Sequence, residues 1–177
     1  MNTLFFFVEG SDDARFINKI MLPKMEKDFI QIIMIEYSQK TKKYIQKLIK
    51  SIMATGGRYY FIADYDECKC FMQKKQIISK LYRIDNNEKI FIVKREIESW
   101  YAAGLDKNTC KKMKIPYNNT ENLSKEKFTR CMISSGYELR TDYMRDILEM
   151  FNAEIAIIRN NSFEYFIRKN NINLEPC

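Results

Sequence analysis

Histidine is absent from this 177-residue chain, and the absence removes whole classes of chemistry. A Ser-His-Asp triad, a Cys-His protease, a histidine zinc centre and a histidine general base all need an imidazole. Proton transfers therefore fall to carboxylates, lysines, tyrosines or metal-bound water. Long apolar runs are also lacking. Leu4 to Val8 has no basic leader and is too short for a signal segment, and no later stretch approaches the roughly 20 apolar residues of a membrane span. The expectation is a cytoplasmic protein with no membrane partner. Cysteine is scarce and odd in number: Cys68, Cys70, Cys110, Cys131 and Cys177 are scattered, so reduced thiols are the default. Cys68-x-Cys70 is tighter than the usual two-residue spacing of zinc pairs, and Cys110 and Cys131 stand alone, so small apolar side chains are preferred to a structural zinc site. There is no internal repeat and no low-complexity segment.

What is present suits one compact domain over 1–177, since 46% of the residues are hydrophobic and 14% aromatic, enough for a substantial core. The net charge is +7, from 30 Lys and Arg against 23 Asp and Glu. Acidic clusters inside a basic chain suggest a metal site that must approach a polyanion, although a lysine-rich composition also describes a solvated surface.

Apolar β-forming runs recur along the first half: Leu4 to Val8, Phe29 to Ile35, Tyr59 to Ala63 and Ile90 to Val93. Helical patterns separate them. Ser11 is a natural N-cap followed by Phe16, Ile17, Ile20 and Met21 at helical spacing up to Leu22-Pro23. Lys40 to Ala54 carries Ile45, Leu48, Ile49 and Ile52 on one face, with Lys42, Lys43, Lys47 and Lys50 mostly on the other; Cys70 to Tyr82 is a third helix. A βαβαβαβ order predicts an α/β fold: a Rossmann-like, mostly parallel four-stranded sheet with helices on both faces. Beyond Trp100 the rhythm weakens, and residues 104–141 read as a basic insertion of short helices and loops. The chain closes with a helix near Asp142 to Phe151, a short strand Glu154 to Ile158 and a helix from Ser162.

Three of the strand runs end on carboxylates: Glu9 and Asp13, Asp64 and Asp66, Glu96 and Glu98. In an open parallel sheet ligands bind outside the carboxyl ends of the strands, so the three pairs are expected to converge there. Gathered carboxylates repel, a bound divalent ion relieves the repulsion, and oxygen-only donors favour Mg2+ or Mn2+. Each pair has an ordinary explanation beside this one. Asp12 and Asp13 suit a helix N-terminus, Asp64-x-Asp66 suits a turn, and Glu96 and Glu98 suit a first helical turn. Trp100, Tyr101, Phe163 and Phe166 read as core. The lysines of 40–50 read as a solvated face, while Lys107, Lys111, Lys112 and Lys114 have the better claim on a phosphate backbone.

The sequence Glu9-Gly10-Ser11-Asp12-Asp13 after strand one, with Asp64-Tyr65-Asp66 after strand three, resembles the TOPRIM domain of topoisomerases, bacterial primases and OLD-family nucleases. Arg95-Glu96-Ile97-Glu98-Ser99-Trp100 is similar to the Glu-x-Glu segment of OLD-like TOPRIM proteins, and Ser162-Phe163-Glu164-Tyr165-Phe166 to their C-terminal Ser-Phe-x-x-Phe. The resemblance spans roughly residues 4 to 168 and implies a TOPRIM-like fold and magnesium-dependent cleavage of nucleic-acid phosphodiesters, DNA ahead of RNA. Carried onto this chain, Asp64 and Asp66 would hold one ion, with Glu9 and Asp13 supporting a second or Glu9 acting as general base. Glu96 and Glu98 would complete the shell, and Lys94, Arg95 or Arg159 would neutralise the phosphate. The ATPase, strand-passage and zinc domains of larger relatives have no counterpart here, so an ATPase or other protein partner would supply any engine or tether. Two alternatives stay open: a catalytically silent TOPRIM-fold module that binds nucleic acid or a partner, and a receiver-like domain with Asp64 as phosphoacceptor.

Overall fold

A computed structural model describes residues 2–66 and 68–174; Cys177 lies outside them. The chain divides into two compact units, Met1–Ile92 and Val93–Cys177. The sheet comprises β1 (Thr3–Val8), β2 (Gln31–Glu36), β3 (Arg58–Asp64) and β4 (Ile90–Val93), all parallel, in the order β2-β1-β3-β4. From β1 the chain steps to one side for β2, then crosses back to place β3 on the other side of β1. The carboxyl ends of β1 and β3 therefore flank the point where the winding reverses, which is where open α/β sheets open a crevice. Phe7 lies beside Phe61, so the residues just past Val8 and the end of β3 reach the same level.

Strands buried on both faces read as continuous apolar runs, and these do. On one face Phe7, Tyr59, Phe61, Ala63, Ile90 and Ile92 pack with Ile45, Ile49 and Ile52 of α3 (Lys42–Ala54) and Ile78 of α4 (Phe71–Tyr82). On the other face Phe6, Tyr60 and Phe91 form a row of edge-to-face rings. Phe6, Phe7 and Phe61, each fully buried, stabilise the fold by about 1.5–3 kcal/mol apiece relative to exposure. The first helical segment outruns the expected stop at Leu22-Pro23. α1 (Ser11–Phe16) passes into a π turn at Ile17–Met21 and then into α2 (Leu22–Met25). Pro23, in the first turn of α2, has no N–H to donate to the helix that continues from the π turn. The N-cap of α1 is Gly10, one residue before the expected Ser11.

The second unit is helical after Val93: α5 (Glu98–Ala103), α6 (Lys107–Lys112), α7 (Lys125–Ser134), α8 (Arg140–Glu149), α9 (Ala153–Arg159) and α10 (Asn161–Lys169). The expected strand at Glu154 to Ile158 is wrong: those residues are helix α9. The β-branched residues Ile155, Ile157 and Ile158 imitate a strand, but Asn152 accepts from the amides of Glu154 and Ile155 at 2.8 and 3.1 Å, a cap that starts a helix. Within 104–141 lie α6, α7 and a 3-10 turn at Thr120–Asn122, the short helices expected there. Trp100 sits in the core edge-on to Phe163, with ring centroids 5.3 Å apart, and beside Phe166. Behind α5, Gly104 is buried against the Phe151 ring, and a Cβ there would overlap that ring. Gly104→Ala is expected to cost about 2 kcal/mol, an overpacking penalty visible as a lower thermal midpoint; an unchanged midpoint would refute the contact.

Candidate active site

Glu9 follows the last residue of β1, and its backbone carbonyl accepts from the Ser38 amide at 3.3 Å. Four residues on, Asp13 lies in the first turn of α1, 5% exposed, where its carboxylate accepts from the Gly10 amide at 3.1 Å. A carboxylate at that place complements the positive end of the helix. Asp64 is the last residue of β3 and half-buried. What joins the three is Tyr37, which directly follows β2. Its hydroxyl donates to the Glu9 carboxylate at 3.3 Å. Burial raises the Tyr37 pKa far above the ordinary phenol value, and the negative charges of Glu9, Asp13 and Asp64 raise it further. One half-buried phenol thus feels three carboxylates, from the ends of two adjacent strands and from the helix that follows β1.

Aromatic packing holds that phenol in place. Tyr37 stacks on Phe61 with centroids 4.6 Å apart and meets Tyr82 of α4 edge-on at 5.8 Å. Tyr82 belongs to the same electrostatic neighbourhood: burial raises its pKa first, the Glu9 charge raises it too, and Lys74 opposes them. Sequence reasoning missed Tyr37 and Tyr82. The available signal for Tyr37 was its position immediately beyond the second strand, the same kind of position that marked Glu9 and Asp64.

Asp66 differs from Asp64. Its backbone is left-handed at φ 50°, its side chain is 57% exposed, and it forms an ion pair with Lys74 in the first turn of α4. The two aspartates are therefore not the equivalent pair that their spacing suggests. Among the described residues no group of three cysteine, aspartate or glutamate side chains is drawn together as a ready ligand set. The donor set available from Glu9, Asp13 and Asp64 is all oxygen and negatively charged, which fits a hard divalent cation.

The other expected residues lie in the second unit, each with partners there. Glu98, 3% exposed, is ion-paired with Arg140 of α8. Glu96 accepts from the Lys125 amide at the N-terminus of α7. The Lys94 ammonium binds Glu121 at 2.6 Å, and its backbone N–H donates to the Ser162 hydroxyl at 3.1 Å. Ser162 also accepts from the Trp100 indole at 2.9 Å and donates to buried Asn160 at 2.7 Å. The Ser-Phe-x-x-Phe segment is thus a structural hub in this unit. Arg159 directs its guanidinium at the carbonyls of Ala103, Leu105 and Tyr117 and lies over the Tyr117 ring, serving the C-terminal end of α5. The Ala103 carbonyl at that helix end and the loop carbonyls of Leu105 and Tyr117 take its donors.

Comparison with protein-family models, with curated proteins and with solved structures yields no match.

Proposed function

We propose that the chain is a magnesium- or manganese-dependent nuclease of TOPRIM type, cytoplasmic, acting on nucleic-acid phosphodiesters and on DNA before RNA. The observation that carries this is the placement of Glu9, hydrogen-bonded to Tyr37, with Asp13 and Asp64 near enough for their charges to act on the same phenol, at the point where the winding of the sheet reverses, in a chain that has no histidine and a net charge of +7. Glu9, Asp13 and Asp64 are the residues that would hold the ion. When bound, it would supply the positive charge that polarises a phosphate and lowers the pKa of water. Glu9, oriented by the Tyr37 hydroxyl, is the carboxylate placed to take a proton. Asp66, held by Lys74, is a reserve ligand on the rim. An ATPase or other protein partner would supply any processivity.

The test uses the whole chain with labelled single- and double-stranded DNA and RNA, in Mg2+, Mn2+ or EDTA. Metal-dependent cleavage that Glu9→Gln abolishes supports the enzyme. Salt-sensitive binding without cleavage points to the silent binding module, and acquisition of phosphate on Asp64 from a small phosphodonor points to the receiver-like domain. A second readout does not depend on activity. Glu9→Gln keeps an acceptor for Tyr37 and removes one charge from the cluster, so in EDTA it is expected to stabilise the fold by on the order of 1 kcal/mol. Added Mg2+ should raise the thermal midpoint of the natural chain by mass action and leave that of the variant nearly unmoved. Equal Mg2+ responses in the two would sink the metal site.

A further inference from the structure

We infer that the groove along α3 is a docking surface for the phosphate backbone of the nucleic acid, a conclusion that rests on the proposed activity for its choice of polyanion. The groove encloses about 850 Å³ and is lined by Lys42, Lys43, Lys47, Lys50 and Arg83, with Asp85 the one acidic residue among its lining. Lys43, Lys47 and Lys50 fall at i, i+4 and i+7, on one stripe of the helix. At 1.5 Å per residue the stripe covers about 10 Å, the rise of about three nucleotides along a duplex strand. The opposite stripe, Ile45, Ile49 and Ile52, is anchored in the core, so the lysines project from a fixed support. Gln46 ties that support to α4 by donating to the Leu81 carbonyl at 2.8 Å.

Arg83 adds a fifth cation from a second element: it ends α4 in the left-handed conformation, φ 58°, and lines the same groove. Its neighbour Tyr82 meets Tyr37 edge-on, and Tyr37 donates to Glu9. The basic groove therefore adjoins the aromatic pair that supports Glu9. A strand lying over α3 would be led by cations toward the carboxylates that would otherwise repel it. The charge of the lining, five cations against the single carboxylate of Asp85, is what selects a polyanion as the occupant.

The experiment measures binding of a fluorescently labelled 20-base-pair DNA by anisotropy, in EDTA and across a salt series. It compares the natural chain with Lys43→Gln/Lys47→Gln/Lys50→Gln and with Lys107→Gln/Lys111→Gln/Lys112→Gln, which removes the same charge from α6. All six lysines are exposed, and circular dichroism checks that both variants keep the fold. The α3 variant is expected to lose at least tenfold in affinity at moderate salt, and its slope of log affinity on log salt should flatten by about 2–3. The α6 variant should stay within about threefold of the natural chain. Equal losses in the two variants, or none in the α3 variant, would overturn the surface, as would tighter binding to a poly-glutamate peptide than to the DNA. The outcomes separate this inference from the activity. Loss of binding in the α3 variant of a chain that never cleaves keeps the surface and defeats the nuclease. Undiminished binding and cleavage in that variant keeps the nuclease and defeats the surface.

Discussion

Asp64→Asn is expected to lower the rate of metal-dependent cleavage on the order of a thousandfold, and Asp66→Asn by no more than about tenfold. The contrast follows from geometry. Asp64 is held at the end of β3, half-buried, and its charge reaches the Tyr37 phenol together with those of Glu9 and Asp13. Making it neutral removes charge that would hold the ion, and several kcal/mol of transition-state stabilisation go with it, about 4 kcal/mol for a thousandfold loss. Asp66 is largely exposed, sits on a left-handed turn residue, and is engaged with Lys74. Its removal resembles loss of a supporting group, which costs 10–100-fold at most metal sites and less when solvent can replace it. Single-turnover rates on labelled DNA at saturating Mg2+ measure both. Thermal shifts give the second readout: Mg2+ should still stabilise the Asp66→Asn chain and fail to stabilise Asp64→Asn. Equal losses, or the reverse order, would show that the spacing of the two aspartates matters more than their burial.

Much of the first unit was legible because its signals are local. Four apolar runs of strand length separated by amphipathic helices specify a parallel sheet, and the four strands lie where those runs are, within one or two residues. The helix face of Ile45, Leu48, Ile49 and Ile52 could be read in the same way, since helical spacing decides which side is buried. Local signals failed where a run is too short to show a period. Glu154 to Ile158 is a brief isoleucine-rich run like a buried strand, and only the Asn152 cap settles it as helix. Partners far apart in sequence were the larger gap. Glu98 meets Arg140 across 42 residues, and Ser162 meets Trp100 across 62 and Lys94 across 68. Nothing in either neighbourhood names the other. For the same reason the ordinary and chemical explanations of Glu98 could not be weighed from its motif: the carboxylate is buried, and what compensates it is on another helix. The difference between Asp64 and Asp66 was hidden too, because a two-residue spacing on an extended chain makes them equivalent until the turn at Asp66 breaks the extension.

Arg140→Met is expected to destabilise the protein by about 3–5 kcal/mol at neutral pH and by much less in acid. Glu98 is 3% exposed, and burial raises its pKa above the ordinary 4.5, with Arg140 and the backbone pulling the other way. The guanidinium that compensates it also lies over the Phe128 ring, 5.3 Å from its centroid. Methionine keeps most of that apolar contact and removes the charge, leaving a buried carboxylate without its cation, the costly half of a broken pair. The sign of the pH dependence follows from the direction of the shift. A carboxyl group whose folded pKa lies above its unfolded value favours folding most when protonated, so that contribution is complete below about 4.5 and is lost as pH rises through the folded value. Without Arg140 the folded value rises further, and the loss deepens toward neutrality. Chemical denaturation at pH 4.5 and pH 7.5 measures the difference. Glu98→Gln added to Arg140→Met should restore most of the stability at pH 7.5 while changing little at pH 4.5. A loss equal at both pH values would show that Arg140 contributes by packing on Phe128, with little owed to its charge.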